Sequence, residues 1–249
     1  MIGGENVKKI ILVLLVAVVI LFSVMAVAAP AEGKGYKRVL EKRTFIHYGQ
    51  GYAKPPWAGG GNGGGATKCY GFISNGAKWK TNEPTYVNPS NDDGMSESFV
   101  MSTVGAGHSA WETYGGDIFG NSYVDYTVYY NTDYADNLNT VSFGYYPNSG
   151  VIGVTTVWGY FSGPPKWREL VEYDLLFNDS FLWGNVDSNP NAMDLENIGT
   201  HEIGHAAGMG DMYQTDCSEV TMYGYSTEGE TKKRSLEADD ITGIQELYN

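Results

Sequence analysis

Residues 200–213 read THEIGHAAGMGDMY, and no other stretch restricts the fold of this chain so tightly. His201 and His205 stand four residues apart, with Glu202 beside the first. On an α-helix, positions four apart lie about 40° apart around the axis, one turn above each other. Both imidazoles can therefore point at one ion. Glu202 is displaced sideways, so it reaches a water on that ion rather than the ion itself. Gly208 ends such a helix, because glycine takes the left-handed conformation that stops helices. The chain can then turn back and bring Asp211 to the same ion.

The spacing is the His-Glu-x-x-His arrangement of zinc peptidases. Taken alone the five-residue pattern is moderately specific, since two histidines and a glutamate also meet on a helix by chance. The helix stop at Gly208, the carboxylate of Asp211 and the methionine of "CSEVTMYG", Met222, raise it above chance. His47 and His108 are the other histidines. Neither is expected as a ligand, because the first precedes the folded domain as drawn and the second falls in another helix.

These residues carry a family resemblance. "HEIGHAAGMGD" resembles the extended zinc signature of the metzincin peptidases, and "TMYG" resembles their Met-turn. "SLEADDITGIQELYN", Ser235 to Asn249, is similar to the closing helix of the matrixin branch. "VEYDLLFNDSFLW", Val171 to Trp183, resembles the strand and loop that precede the active-site helix there. The resemblance covers roughly Trp79 to Asn249 and is strongest in the final third. It implies an α/β (α+β) domain of the zincin-like metzincin fold. That fold has a twisted, mostly parallel five-stranded sheet, three helices and a substrate cleft along an edge strand. It implies zinc held by His201, His205 and Asp211, with Glu202 as the general base of a metalloendopeptidase and Met222 as an apolar floor. Most matrixins place a third histidine where this chain has Asp211, whereas snapalysin-like metzincins use aspartate. Carboxylate oxygen is a sound zinc ligand at ~2.0–2.2 Å. No close match to the matrixin cysteine switch is present, since Cys69 lacks its flanking residues. Val151 to Tyr160 is the expected edge strand, and Tyr223 with Tyr225 the expected lining for the residue after the cut.

Along the rest of the chain, the order of elements agrees with this class. Strands are expected at Thr85–Asn88, Tyr123–Tyr130, Val141–Tyr146, Val151–Tyr160 and Leu170–Phe177, from their β-branched and aromatic runs. Helices are expected over Gly94–Thr113, from an Asn191 cap to about Ala207, and over Leu236–Leu247. Residues 30–66 include the glycine-rich "GGGNGGG" and read as a linker or short pro-segment, so the catalytic domain is drawn at 67–249.

Residues 1–29 read as a secretory signal. Lys8 and Lys9 precede the apolar run from Ile10 to Phe22, and Ala26, Ala28 and Ala29 supply a small-residue end. The alternative is a membrane anchor facing outside, since twenty residues also approach the ~20 that span a bilayer. With 16 Lys+Arg against 29 Asp+Glu the chain is acidic, which argues against nucleic acid as a partner. Proteins or peptides are the expected substrates, and the chain is expected to act as a monomer. Cys69 and Cys217 are the two cysteines. One disulfide is the natural assignment in an oxidising compartment, against two free thiols or a thiolate on a metal. Asp92–Asp93, and Asp133 with Asp136, are candidate calcium ligands, against solvated turns. The rival function is a catalytically silent, zinc-bearing extracellular binding module; the presence of Glu202 speaks against it.

Overall fold

Seven strands form one mixed sheet, and the two central strands are among its most apolar. The computed structural model describes residues 37–52 and 68–249, and Arg38–Asn249 cluster as one unit. The signal-like segment and the glycine run lie outside the described residues. Strand β1 is Glu41–Gly49, β2 Thr85–Val87, β3 Ser122–Val124, β4 Asn139–Gly144, β5 Val151–Tyr160, β6 Glu169–Asn178 and β9 Tyr225–Ser226. Their order in space is β3-β2-β4-β6-β5-β1-β9. The pairs from β3 to β6 are parallel, whereas β6/β5 and β5/β1 are antiparallel. A small parallel pair, β7 (Trp183–Gly184) with β8 (Met193–Asp194), precedes the metal-type helix.

The expected five strands are thus present as β3-β2-β4-β6-β5, and the expected mostly parallel character holds. Two expectations fail. Residues 41–49, within the stretch read from the sequence as linker or short pro-segment, form β1. That strand covers β5, which is therefore not the open edge. The alternation Thr44-Phe45-Ile46-His47-Tyr48 suits a strand. The proline and glycine that follow masked it. The run at 123–130 stays a strand only to Val124, because Asp125 turns the chain by accepting from the Thr127 amide.

Three α-helices pack on the sheet: α1 Glu97–Gly115, α2 Leu195–Ala206 and α3 Ala238–Tyr248. Ser96 caps α1 by accepting from the Phe99 amide at 3.2 Å. In α2 the cap is Asp194, which accepts from the Asn197 amide at 2.9 Å, and not Asn191. Arg234 holds that carboxylate in place through Nε at 2.8 Å. Helices α1 and α2 approach closely where glycine leaves room. A Cβ on Gly107 would lie 2.5 Å from Ile203 Cδ1, and one on Gly204 would lie 2.5 Å from Trp111 Cζ2. The Trp111 indole donates to the Thr200 carbonyl at 2.8 Å and fixes the register of the two helices. Among the described residues no helix is long and apolar enough to cross a membrane.

His108 belongs to this core. Its ring stacks on Phe119 at 4.3 Å, and Nε2 lies 3.2 Å from the Tyr173 hydroxyl. Burial pulls its imidazolium down to about 4 from 6.5. Between those values the unfolded chain binds the extra proton, so stability falls as pH is lowered from 6.5 through 4. That single group accounts for about 3 kcal/mol over the window. In denaturant titrations the acid limb of His108→Gln should be shallower than wild type by an amount of that order. Superimposable acid limbs would show that His108 is not held neutral.

Candidate metal centre

Backbone carbonyls orient both histidines of α2. His201 Nδ1 lies 2.7 Å from the Thr221 carbonyl, and His205 Nδ1 lies 2.9 Å from the Met209 carbonyl. A carbonyl only accepts, so each Nδ1 carries the proton and each Nε2 presents a lone pair. The chain leaves α2 through Gly208, at φ +103°, as the sequence requires. The turn is closed by the Gly208 amide donating to the His205 carbonyl at 2.9 Å and the Met209 amide to that of Gly204. Backbone bonds from Ile73 to Gly208 and from Gly210 to Gly71 clamp the returning loop from outside. Cys69 and Cys217 form a disulfide that flanks the same loop.

The loop delivers Asp211. Its Oδ1 lies 3.2 Å from His201 Nε2 and 3.3 Å from His205 Nε2. Those three atoms have no hydrogen-bond partner and are buried. Ligands on a tetrahedral ion at ~2.0–2.1 Å would stand about 3.3 Å apart. Two neutral imidazoles and one carboxylate at that spacing are a donor set for a divalent transition metal. The Asp211 carboxyl is buried, which works against its charge, yet the neighbouring imidazoles hold it well below the usual carboxylate range. The Tyr213 hydroxyl donates to its other oxygen at 3.1 Å.

Glu202 sits on the sheet side. Its Oε2 accepts from Thr155 of β5 at 2.5 Å, and its Oε1 has no hydrogen-bond partner. Opposite it β5 has Gly153, where a Cβ would approach that Oε1 to 2.8 Å. Burial pushes the Glu202 carboxyl up to about 7. Met222 is fully buried beneath α2, and a Cβ on Gly204 would fall 2.3 Å from its Sδ. The turn that carries it is held by Asp240 of α3, which accepts from the Thr221 amide at 2.7 Å and from Met222 at 3.3 Å.

His201, Glu202, His205, Asp211, Gly208 and Met222 thus come together. His108 does not. Asp92, Asp93, Asp133 and Asp136 belong to neither of the two ligand-type clusters found among the described residues. Several residues at the site lie outside the 200–213 stretch: Thr155, Lys233, Asp240 and, above all, His47; Tyr213 lies within it but carried no signal of its own. The His47 ring meets that of His201 at 4.0 Å, and its Nδ1 lies 3.6 Å from Glu202 Oε1.

Residues 162–249 match the family model described as Matrixin. That stretch is matrixin-like. Arabidopsis thaliana Metalloendoproteinase 2-MMP is 34% identical over 131 residues, covering 50% of this chain and 29% of that protein. Metalloendoproteinase 1-MMP of the same plant is 44% identical over 57 residues, 23% of this chain and 15% of its own length. Glycine max Metalloendoproteinase 1 is 42% identical over 67 residues, 26% of this chain and 21% of that protein. The matches therefore span less than a third of the length of these relatives. The matched part of the matrixin-like domain holds β6, α2, the Met222 turn and α3, so it includes every ligand-type residue except His47.

Tyr213 supports Asp211 from behind. Tyr213→Phe should weaken zinc binding by ~10–100-fold, the usual effect of removing such a partner. Competition against a chromophoric chelator measures this, and an unchanged affinity would mean that the hydroxyl does not position the carboxylate.

Proposed function

We propose that this chain is a zinc-dependent endopeptidase that hydrolyses proteins or peptides outside the cell. One observation carries the reading: two Nε2 lone pairs and the Asp211 oxygen converge at 3.2–3.3 Å, with Glu202 anchored beside them. His201, His205 and Asp211 would hold the metal. Zinc, when bound, supplies Lewis acidity toward a peptide carbonyl and acidifies a water. Glu202 takes a proton from the attacking water and returns it to the leaving amine. Thr155 fixes one oxygen and leaves Oε1 as the proton-handling atom. Met222 packs under the histidines as a rigid apolar floor. The names of the related metalloendoproteinases support the same class. The disulfide supports an oxidising, extracytoplasmic location, as does the signal-like pattern of residues 1–29.

The alternative, a silent zinc-bearing binding module, has no use for a buried carboxylate held by Thr155. Zinc analysis and casein hydrolysis separate the two. Glu202→Ala should retain zinc and lose hydrolysis by ~10²–10⁴-fold. Asp211→Ala should lose zinc as well. Hydrolysis that persists in Glu202→Ala would rule out the base assignment, and full zinc content in Asp211→Ala would rule out the third ligand.

A further inference from the structure

The sheet ends at β3, far from the candidate metal centre. Among the described residues no strand or bridge pairs with the outer side of β3. The Thr85 amide donates to the Asn121 carbonyl, and the Asp125 amide to that of Val87. Residues 121 and 125 therefore turn their backbone groups toward β2. Alternate residues of a parallel strand face opposite sides, so the amides and carbonyls of Ser122 and Val124 point outward. An edge of that kind can take an extended peptide as one more strand.

A groove lies beside this edge. Its lining includes Tyr86, Tyr123, Glu112, Asp117, Asn82 and Asn121. Tyr86 and Tyr123 stand opposite each other in the β2/β3 register, with ring centroids 6.1 Å apart and planes tilted by 32°. Tyr123 keeps 49% of its surface exposed. Glu112 is anchored, because its Oε1 accepts from the Ile118 and Phe119 amides at 3.1 and 2.8 Å. The floor is equally fixed. The Gly120 amide donates to the Glu83 carbonyl at 2.9 Å, and a Cβ on Gly120 would lie 2.8 Å from that oxygen.

No cation of the chain answers these carboxylates. Among the described residues Glu112 and Asp117 enter no ion pair, and Lys80, two residues before Asn82, turns instead to Glu169 at 3.6 Å. Tyrosine faces attract a Lys or Arg head within ~6 Å, and carboxylates beside them add opposite charge. The formal net charge of −13 repels anionic chains and draws basic ones toward the surface. A strand added to β3 would send alternate side chains to the Tyr123 face, so basic residues at every second position would meet the groove.

We propose that the β3 edge and its tyrosine–carboxylate groove form an exosite for an extended, lysine- or arginine-bearing segment of a protein substrate, remote from the bond that is cut. This rests on the peptidase reading. β3 stands four strands from β5, which carries the Thr155 anchor of Glu202. That is about 19 Å at ~4.8 Å per strand. A substrate long enough to cover the distance is held at a raised effective concentration near Glu202.

Two measurements on the full-length protein test the idea. The first titrates a fluorescein-labelled peptide of alternating lysine and serine into Glu202→Ala and follows anisotropy, with a glutamate-for-lysine peptide as control. The lysine peptide should bind, and added salt should weaken it. Tyr123→Ala/Asp117→Asn in that background should weaken it by about tenfold. Val124→Pro should weaken it too, since it removes an outward amide at an edge position that tolerates proline. The second measurement keeps Glu202 and follows cleavage of a fluorogenic peptide with and without the lysine segment, joined by a Gly/Ser linker of ~20 residues that spans ~25 Å. The segment should lower KM by about tenfold. Tyr123→Ala/Asp117→Asn should abolish that advantage and leave cleavage of the short peptide unchanged. Equal binding of the two labelled peptides, or binding indifferent to every substitution, overturns the inference. Binding that follows the substitutions while the segment leaves KM unchanged overturns the assignment to substrate. Binding that follows them while no peptide is cleaved keeps the groove and overturns the peptidase reading. Near-UV circular dichroism checks folding, and the Tyr123/Asp117 variant decides the matter if Val124→Pro is not folded.

Discussion

The candidate metal centre depends on how α2 ends. Gly208 adopts a left-handed conformation, and a Cβ there would lie 2.9 Å from Leu247 Cδ2 and 3.0 Å from the Ala77 carbonyl. Both backbone strain and crowding thus exclude a side chain. The turn does two jobs at once. It sets the Met209 carbonyl under His205 Nδ1, and it sends Asp211 back to both Nε2 atoms. The clamp from residues 71–73 and the disulfide hold the returning loop in that place. A site that draws His201, His205 and Asp211 from one short stretch is therefore only as rigid as the packing around its turn.

Burial explains the rest of the polar architecture. Glu202, Lys233 and Asp240 have no exposed surface, and each buried charge costs free energy unless it is partnered. Thr155 meets Glu202, three acceptors meet Lys233, and the amides of Thr221, Met222 and Glu237 meet Asp240. These bonds tie β1, β5, β9, α3 and the Met222 turn to one another around α2. Arg234 adds a further tie by holding the α2 cap at Asp194. The candidate ligands are positioned by the Thr221 and Met209 carbonyls and the Tyr213 hydroxyl, and Glu202 by Thr155.

An exposed edge strand invites pairing with any extended chain. An edge that accepts any backbone can also accept an extended peptide. Here β5 has its edge filled by the chain's own β1. The aromatic and imidazole side chains of β1 face the metal-type residues, and its other face rests on a small cluster at the rim.

Local chemistry made part of this legible from residues alone. Helical spacing places His201 and His205 on one face, glycine stops the helix, and a carboxylate follows within reach. The long apolar strands β5 and β6 are likewise visible as runs of β-branched and aromatic residues, and the two cysteines pair as an oxidising compartment suggests. Asp194 rather than Asn191 as the α2 cap was not legible, because both are capping residues and the β7/β8 pairing decides where the helix starts. Neither were Thr155, Lys233 and Asp240, whose roles arise from segments that meet only in the fold. Least legible was β1. Its pairing with β5 joins residues more than a hundred positions apart, across a glycine-rich stretch that looks like the end of order. Sequence determined that His201 and His205 share a helix face, because helix periodicity is local. Only the tertiary structure decided what lies on top of it, because strand pairing is set by which edge a distant segment can reach.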